Sequence, residues 1–502
     1  MSRGAIGLST VLGLVFATNL IFAAATDSKS AATPQVPEYP KDCDTIAPPV
    51  GFTFPNVSSA LPFDLGSLRA TVETTAPAPA KMSSTAGHAA DHDCGVFETQ
   101  KQFDLFSWAT FIGLNWPADS SGNPISGDIG TQPTSPRVWE YYLSPSQIFK
   151  ANGVAPDPWG TPENEARTLS AISKHTEILD EVDEAFFNLE TPLPPITDLN
   201  NEYVRYEIRI NKAEYDYIVT NTLYNTEGQQ TFINNGNTVS FPSGKLPVGP
   251  TPGQRGAMEL KVAWKQMGAG DDPSKFYTIT PIVEEPFNKP HTITGKTYGL
   301  VGMHIMVRTE SAPEWVWATF EHVDNAPIMD LRTSVPDKFK AKGSYSFWNK
   351  AGTHSFGGFD PAAFSTLDAM KSAPNYYQPK NERQLSQITK VITDNNAVSD
   401  SKWTKNLNAT MQGKLAGTVW ANYRLISTQW PVNPGTKPAG NPAPVSLGNP
   451  VLETYMQVNG SCMNCHAGAT YGNAQTAANN ANFSFMLQRA KSAKSKTTSP
   501  HN

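Results

Sequence analysis

Cys462-Met463-Asn464-Cys465-His466 is the one run in the chain whose residue types and spacing specify a chemistry by themselves. Two thiols separated by two residues and followed at once by an imidazole form the C-x-x-C-H pattern of covalent c-type haem attachment. The sulfurs add to the two vinyl groups of haem, and two intervening residues match the distance between those groups. His466 then swings beneath the ring, where its Nε2 becomes the proximal iron ligand. Paired cysteines have two other common uses. A dithiol exchange pair follows a strand and opens a helix in a βαβ unit, whereas this one follows a loop. Half of a zinc site needs two more ligands close by, and after His466 the only histidine is His501, at the end of the chain. The pattern therefore predicts one covalent haem c.

Cys462–His466, with Phe483-Ser484-Phe485 following, resembles bacterial periplasmic c-type cytochromes. Longer strings are similar to a group of large exported single-haem proteins identified only as cytochrome c family: FSWATFIGLNWP at Phe106–Pro117, MELKVAW at Met258–Trp264 and WVWATFEHVDN at Trp315–Asn325. The resemblance covers most of the mature chain. It implies electron transfer as the activity and a redox protein as the partner.

The chain departs from small cytochromes, in which the motif lies near the N-terminus and a ligating Met follows tens of residues later. Here only 36 residues follow His466, too few for that fold, so upstream residues must complete the haem pocket. Met486 is the only methionine downstream, and its neighbours Phe483, Phe485 and Leu487 suit a helix against a haem edge or a place in the core. Upstream candidates for the distal side are His304, His322, His354, Met303, Met306, Met411 and Met456. Strand alternation groups His304 with Leu300 and Met306, and His322 with Val316, Ala318 and Phe320, beside Glu321 and Asp324. Either histidine could instead be a satisfied core residue. His354 falls in the glycine-rich stretch Gly352–Gly358. Carrying an electron takes about a hundred residues, and 502 is far more. A haem enzyme of peroxidase or oxygenase type, or a haem-based sensor or binding protein with an open sixth position, is therefore the alternative. Catalytic residues are not specified by the sequence.

The N-terminus sets the compartment. Arg3 is the only charge before Asp27, and Gly4–Thr26 is mostly apolar, ending in Phe22-Ala23-Ala24-Ala25-Thr26. This predicts a signal peptide over residues 1–25 and a periplasmic or otherwise exported protein, with an uncleaved anchor as the alternative. No later stretch is apolar enough to span a membrane. Export permits a disulfide between Cys43 and Cys94, closing a loop of about fifty residues and contributing roughly 4 kcal/mol. His88, His92 and Cys94 could alternatively be metal ligands, without a framework to orient them.

The net charge of −6 is spread along the chain, which excludes a nucleic-acid stripe. Gly295-Lys296-Thr297 has the tail of a phosphate loop, but position 290 is proline where that loop needs glycine. Arg489, Lys491, Lys494 and Lys496 form either a docking patch for an acidic redox partner or a solvated terminus.

These residues need elements to hold them. Residues 26–95 are a Pro/Ala/Ser-rich segment and linker, 96–428 a body, and 429–502 a linker and haem-binding segment. Phe103, Phe106 and Thr110, with Leu105, Trp108 and Ile112, predict a helix stopping at Asn115-Trp116-Pro117, and Pro136–Leu143 a shorter one ended by Pro145. Tyr203–Ile210 alternates as a half-buried strand, followed by a helix at Lys212–Leu223. Met258–Trp264, Tyr298–Val307 and Trp315–Val323 read as strands, the last two as a hairpin central to a sheet. Helices are predicted around Glu382–Ala397 and Lys405–Ile426. The fold class is α+β, with an antiparallel sheet at the centre of the body and flanking helices.

Overall fold

Apolar runs rich in valine, isoleucine and tryptophan cannot be left in water, and in this chain they pair edge to edge. The computed structural model describes residues 57–64, 95–161, 167–169, 196–285, 291–332, 344–349, 388–436, 439–454, 456–457, 460–472 and 479–493. All of these fall within one unit, Tyr39–Asn502. The leader, Cys43, His88, His92, Cys94 and His354 lie outside the described residues.

In chain order the main elements are helix α1 (Gly95–Leu114), strand β1 (Arg205–Ile210), helices α2 (Lys212–Thr220) and α3 (Thr226–Asn234), and strands β2 (Met258–Gln266), β3 (Tyr298–Val307) and β4 (Val316–His322). Helix α4 (Lys402–Lys414), strands β5 (Tyr423–Pro431) and β6 (Pro442–Ala443), and the short helix α5 (Cys462–His466) follow. The strands form one sheet in the order β6-β5-β4-β3-β2-β1, and the short strand Thr278–Ile279 pairs with β3. Every pairing in it is antiparallel. The protein is thus α+β, sheet-centred, with helices on both faces.

Both faces are buried. One face packs Leu260, Met303, Ile305, Ala318, Phe320 and Leu425 against Trp108 and Phe111 of α1 and Leu407 and Met411 of α4. The other packs Tyr206, Ile208, Met306 and Trp317 against Ile218 of α2, Phe232 of α3 and a C-terminal layer containing Met463, Phe483, Met486 and Leu487.

Several local expectations are corrected. Alternation in β1 reads as one wet face, yet Arg205, Glu207 and Arg209 are all buried. Glu207 pairs with Arg167 and Arg209 and accepts the Trp264 indole N–H at 2.8 Å, while Arg167 also pairs with Glu140 and lies over the Trp139 and Trp264 rings. Partners distant in sequence satisfy these charges, so alternation misreports their exposure. Burial would push the Glu207 carboxyl up, but Arg167 and Arg209 outweigh it and hold the group down at about 2.

Pro145 opens a short helix, Pro145–Ile148, rather than closing one. Its missing N–H costs nothing at a helix start. Only a 3-10 turn, Val138–Tyr141, precedes it. The helix predicted over Lys405–Ile426 stops at Lys414: Gly417 turns back through φ +85°, and Tyr423 enters β5. In the described part of Glu382–Ala397 there is instead a strand, Lys390–Ile392, parallel to Ile328–Asp330, and a 3-10 turn from Asp394. The boundary expected at 428/429 falls inside β5. The C-terminal segment is accordingly part of the sheet's own packing.

Candidate functional site

Helix α5 is too short to stand on propensity alone, and it is held by its start and by the sheet beneath it. Ser461 caps it, its hydroxyl accepting the Asn464 N–H. Met463 is fully buried, and its N–H donates to Gln429 Oε1 at 2.9 Å. The Ser461 hydroxyl donates to the same oxygen at 3.3 Å, while Gln429 Nε2 donates to the Pro444 carbonyl at 2.7 Å. Cys462 and Cys465, three positions apart, lie on one face of the helix. Cys462 is half-buried and Cys465 exposed.

His466, four positions after Cys462, follows on the same side of the helix, turned further inward, and is only 5% exposed. Its ring packs against Trp317 and Phe485, with centroids 4.5 and 5.1 Å away. Its Nδ1–H donates to the Phe483 carbonyl at 2.8 Å. That donation fixes the neutral tautomer with the lone pair on Nε2, the atom a metal takes. The carbonyl is aimed by an unusual turn, in which Asn482 (φ +54°) and Phe483 (φ +72°) both adopt left-handed backbone. Such residues cost about 1–2 kcal/mol each, and tertiary bonds hold them. The Trp315 indole donates to the Asn482 carbonyl at 2.9 Å, and the Phe241 N–H donates to Asn482 Oδ1 at 3.0 Å.

The platform under α5 is one row across the sheet. Met306 lies opposite Trp317, and Trp317 opposite Gln429; opposed residues share a face. In the next row His304 lies opposite Thr319. His304 Nε2–H donates to Glu453 Oε1 at 2.6 Å, and Glu453 Oε2 accepts the Asn449 N–H at 2.9 Å. Asn449 Nδ2 in turn donates to Thr319 Oγ1 at 2.9 Å.

No protein-family model, curated protein or solved structure matches the chain. The reading of the site rests on its geometry.

That geometry divides the distal candidates by sheet face. His304 and Met306 share the face that carries α5, and Met486 lies in the layer packed on it. His304 is half-buried, and it does not share a face with Leu300: an irregularity at Ala263/Trp264 in the β2–β3 pairing puts Leu300 in the opposite layer. Met456 is half-buried in the segment just before α5.

His322, Met303 and Met411 are on the other side. His322 continues the Val316–Ala318–Phe320 face, stacks on Phe276 at 3.9 Å and faces Tyr423 across the β4–β5 pair. Its Nε2–H donates to the Lys275 carbonyl at 3.0 Å and its Nδ1 accepts the Asp324 N–H at 3.1 Å. Burial pushes its imidazole down to about 4. His322 is therefore a satisfied core histidine, separated from His466 by the sheet. Glu321 points away from it, toward Lys390 and Arg424.

Sequence reasoning missed Gln429, Trp317 and Glu453 as members of the site. The Phe483 carbonyl carries no side-chain signature; only the string Phe483-Ser484-Phe485 hinted at it.

Proposed function

We propose that the protein is an exported single-haem c-type cytochrome acting in electron transfer, with haem c held by Cys462 and Cys465 and His466 as its proximal ligand. The observation that carries this reading is the Nδ1–H bond from His466 to the Phe483 carbonyl, in a helix that carries Cys462, Cys465 and His466 on one side. A dithiol exchange pair has no need of a buried imidazole locked in one tautomer. A haem site does, because the carbonyl raises the basicity of the ligating nitrogen and fixes the ring orientation.

When bound, haem c supplies a one-electron couple at its iron. The chain's own residues do the rest. Trp317, Phe485 and Met463 exclude water from the proximal side, and Gln429 fixes the helix that carries the thiols. The exposed position of Cys465 puts the attachment edge at the surface, where a redox partner protein can reach it. His304, Met306 and Met486 supply the side chains from which a sixth ligand would come, with His354 a further candidate outside the described residues. A disulfide joining Cys43 and Cys94, a cleaved leader and periplasmic location belong to the same reading. Among the described residues no helix is long and apolar enough to cross a membrane.

A second reading, a haem enzyme with an open sixth position, is favoured by the His304–Glu453 pair on the α5 face, which could exchange a proton with a bound substrate. Absorption spectra of the exported protein, oxidised, reduced and reduced under carbon monoxide, separate the two. A haem-stained band on a denaturing gel, with spectra unmoved by carbon monoxide, is the result expected of the electron carrier. Spectra that shift would move the assignment to the enzyme or sensor. Absence of haem bands would overturn both.

A further inference from the structure

We propose that the partner of this site is a redox protein whose own docking face is uncharged, and that it meets the thiol edge of α5 over a neutral polar surface. The inference rests on the electron-transfer reading and adds the chemistry of the partner to it.

From Thr454 to Gln488 the chain contains no Asp, Glu, Lys or Arg. Charged residues make up 17% of the whole chain, so a run of 35 would ordinarily hold about six. Among the described residues of this segment, the outward side is built from amides and small residues. Asn464, Cys465, Gly468 and Asn480 are exposed, and Ser461, Cys462, Ala467 and Thr470 are half-buried around them. Of the basic residues that the sequence offers for docking, Lys494 and Lys496 lie outside the described residues. Arg489 is half-buried. The Lys491 carbonyl accepts the Thr226 N–H at the start of α3, and Glu227 of that helix holds Ser492 and Ala493.

Charge around a redox edge steers a partner from a distance, and it must lose water when the two surfaces meet. A rim of amides and hydroxyls does neither. The cores of protein interfaces are depleted of charge for the second reason. A partner carrying a ring of charges would have to strip them of water against a segment offering no countercharge. A partner with an uncharged face meets no such cost, and its association would be nearly indifferent to salt.

The test uses the haem-loaded full chain in a stopped-flow instrument. The main probe is a cupredoxin whose copper edge is ringed by uncharged residues, mixed in both redox directions. A small cytochrome c ringed by lysines is the parallel probe. Haem bands recorded on the same sample before mixing keep the two readings apart: if they are absent, the haem assignment fails rather than the docking proposal. The expected result is a cupredoxin rate constant that changes by less than about twofold between roughly 20 and 500 mM salt. Asn464→Lys and Asn464→Asp should each lower that rate by about fivefold or more, since either introduces a charge to be desolvated. Ser121→Lys, exposed in the turn after α1, should leave it unchanged. The proposal is overturned if the cupredoxin exchanges no electrons, or if both Asn464 variants keep the original rate. It is equally overturned if only the lysine-ringed probe reacts, with a rate falling about tenfold or more as salt rises.

Discussion

The side chain of Gln429 receives the Met463 amide and the Ser461 hydroxyl on one atom and donates to the Pro444 carbonyl from the other. Gln429→Leu keeps the bulk of the side chain and removes its hydrogen-bonding groups, leaving the Met463 N–H buried without an acceptor. Loss of one such buried bond costs about 1–3 kcal/mol. Urea unfolding of the variant should show that loss, and haem stain per chain should fall with it; unchanged values for both would mean that α5 holds its place without the strand. The Cys462–His466 motif is legible because the haem attachment it predicts would dictate its spacing. Gln429 is not, since a lone glutamine between Thr428 and Trp430 has no signature until the register of β5 is known. Nor is the Phe483 carbonyl, which any residue could supply and which is special only in its backbone angle.

Strands β3 and β4 can be read from their apolar runs, because a central strand buries both faces, while β2 is read from alternation although its Glu259, Lys261 and Lys265 are buried too. The pattern gives β1 the wrong environment, and it splits β5 between the end of a helix (Tyr423–Ile426) and the start of a linker (Trp430, Pro431). In both cases the deciding partners lie far along the chain: Arg167 and Glu140 for β1, and the seven-residue β4 with α1 for β5. The charged row of β1 gives a test of this burial. Glu207→Gln should cost about 3–5 kcal/mol, because it leaves Arg167 and Arg209 buried beside a neutral amide. Chemical unfolding near neutral pH would check it. With the native carboxyl held at about 2, below its unfolded value, the stabilisation is present above about pH 4.5 and is lost as pH falls through about 2. A variant as stable as the parent at pH 7 would show that the aromatic clamp of Trp139 and Trp264 carries this corner alone.

Two buried groups on the α1 side of the sheet set opposing pH responses for the whole molecule. Burial pushes the Asp104 carboxyl up to about 7, against hydrogen bonds from Gln100 and Trp403. Native Asp104 thus holds a proton between about pH 4 and 7 that the unfolded chain has released, and its contribution to stability shrinks as pH rises through that window. His322, pushed down to about 4, does the reverse. Between about pH 6.5 and 4 the unfolded chain takes up a proton that the native ring refuses, so stability falls as pH falls. The two slopes, each up to about 1.4 kcal/mol per pH unit, nearly cancel. Asp104→Asn should unmask the His322 term, giving a protein that loses about 1 kcal/mol per pH unit on going from pH 6.5 to 4. Unfolding free energies measured across that range decide the matter, and a profile as flat as the parent's would remove Asp104 from the balance.

Asp104 also leads back to β5, through Gln100, whose Nε2 donates to the Thr428 carbonyl across 328 positions of chain. The next residue, Gln429, seats α5 on the opposite face. Closing so wide a loop adds only a few kcal/mol to the entropy cost, since that cost grows with the logarithm of length. It weighs far more on time, because such distant pairings form late. The seat for α5 exists only where β3, β4 and β5 are paired, because Met306, Trp317 and Gln429 each come from a different one of them.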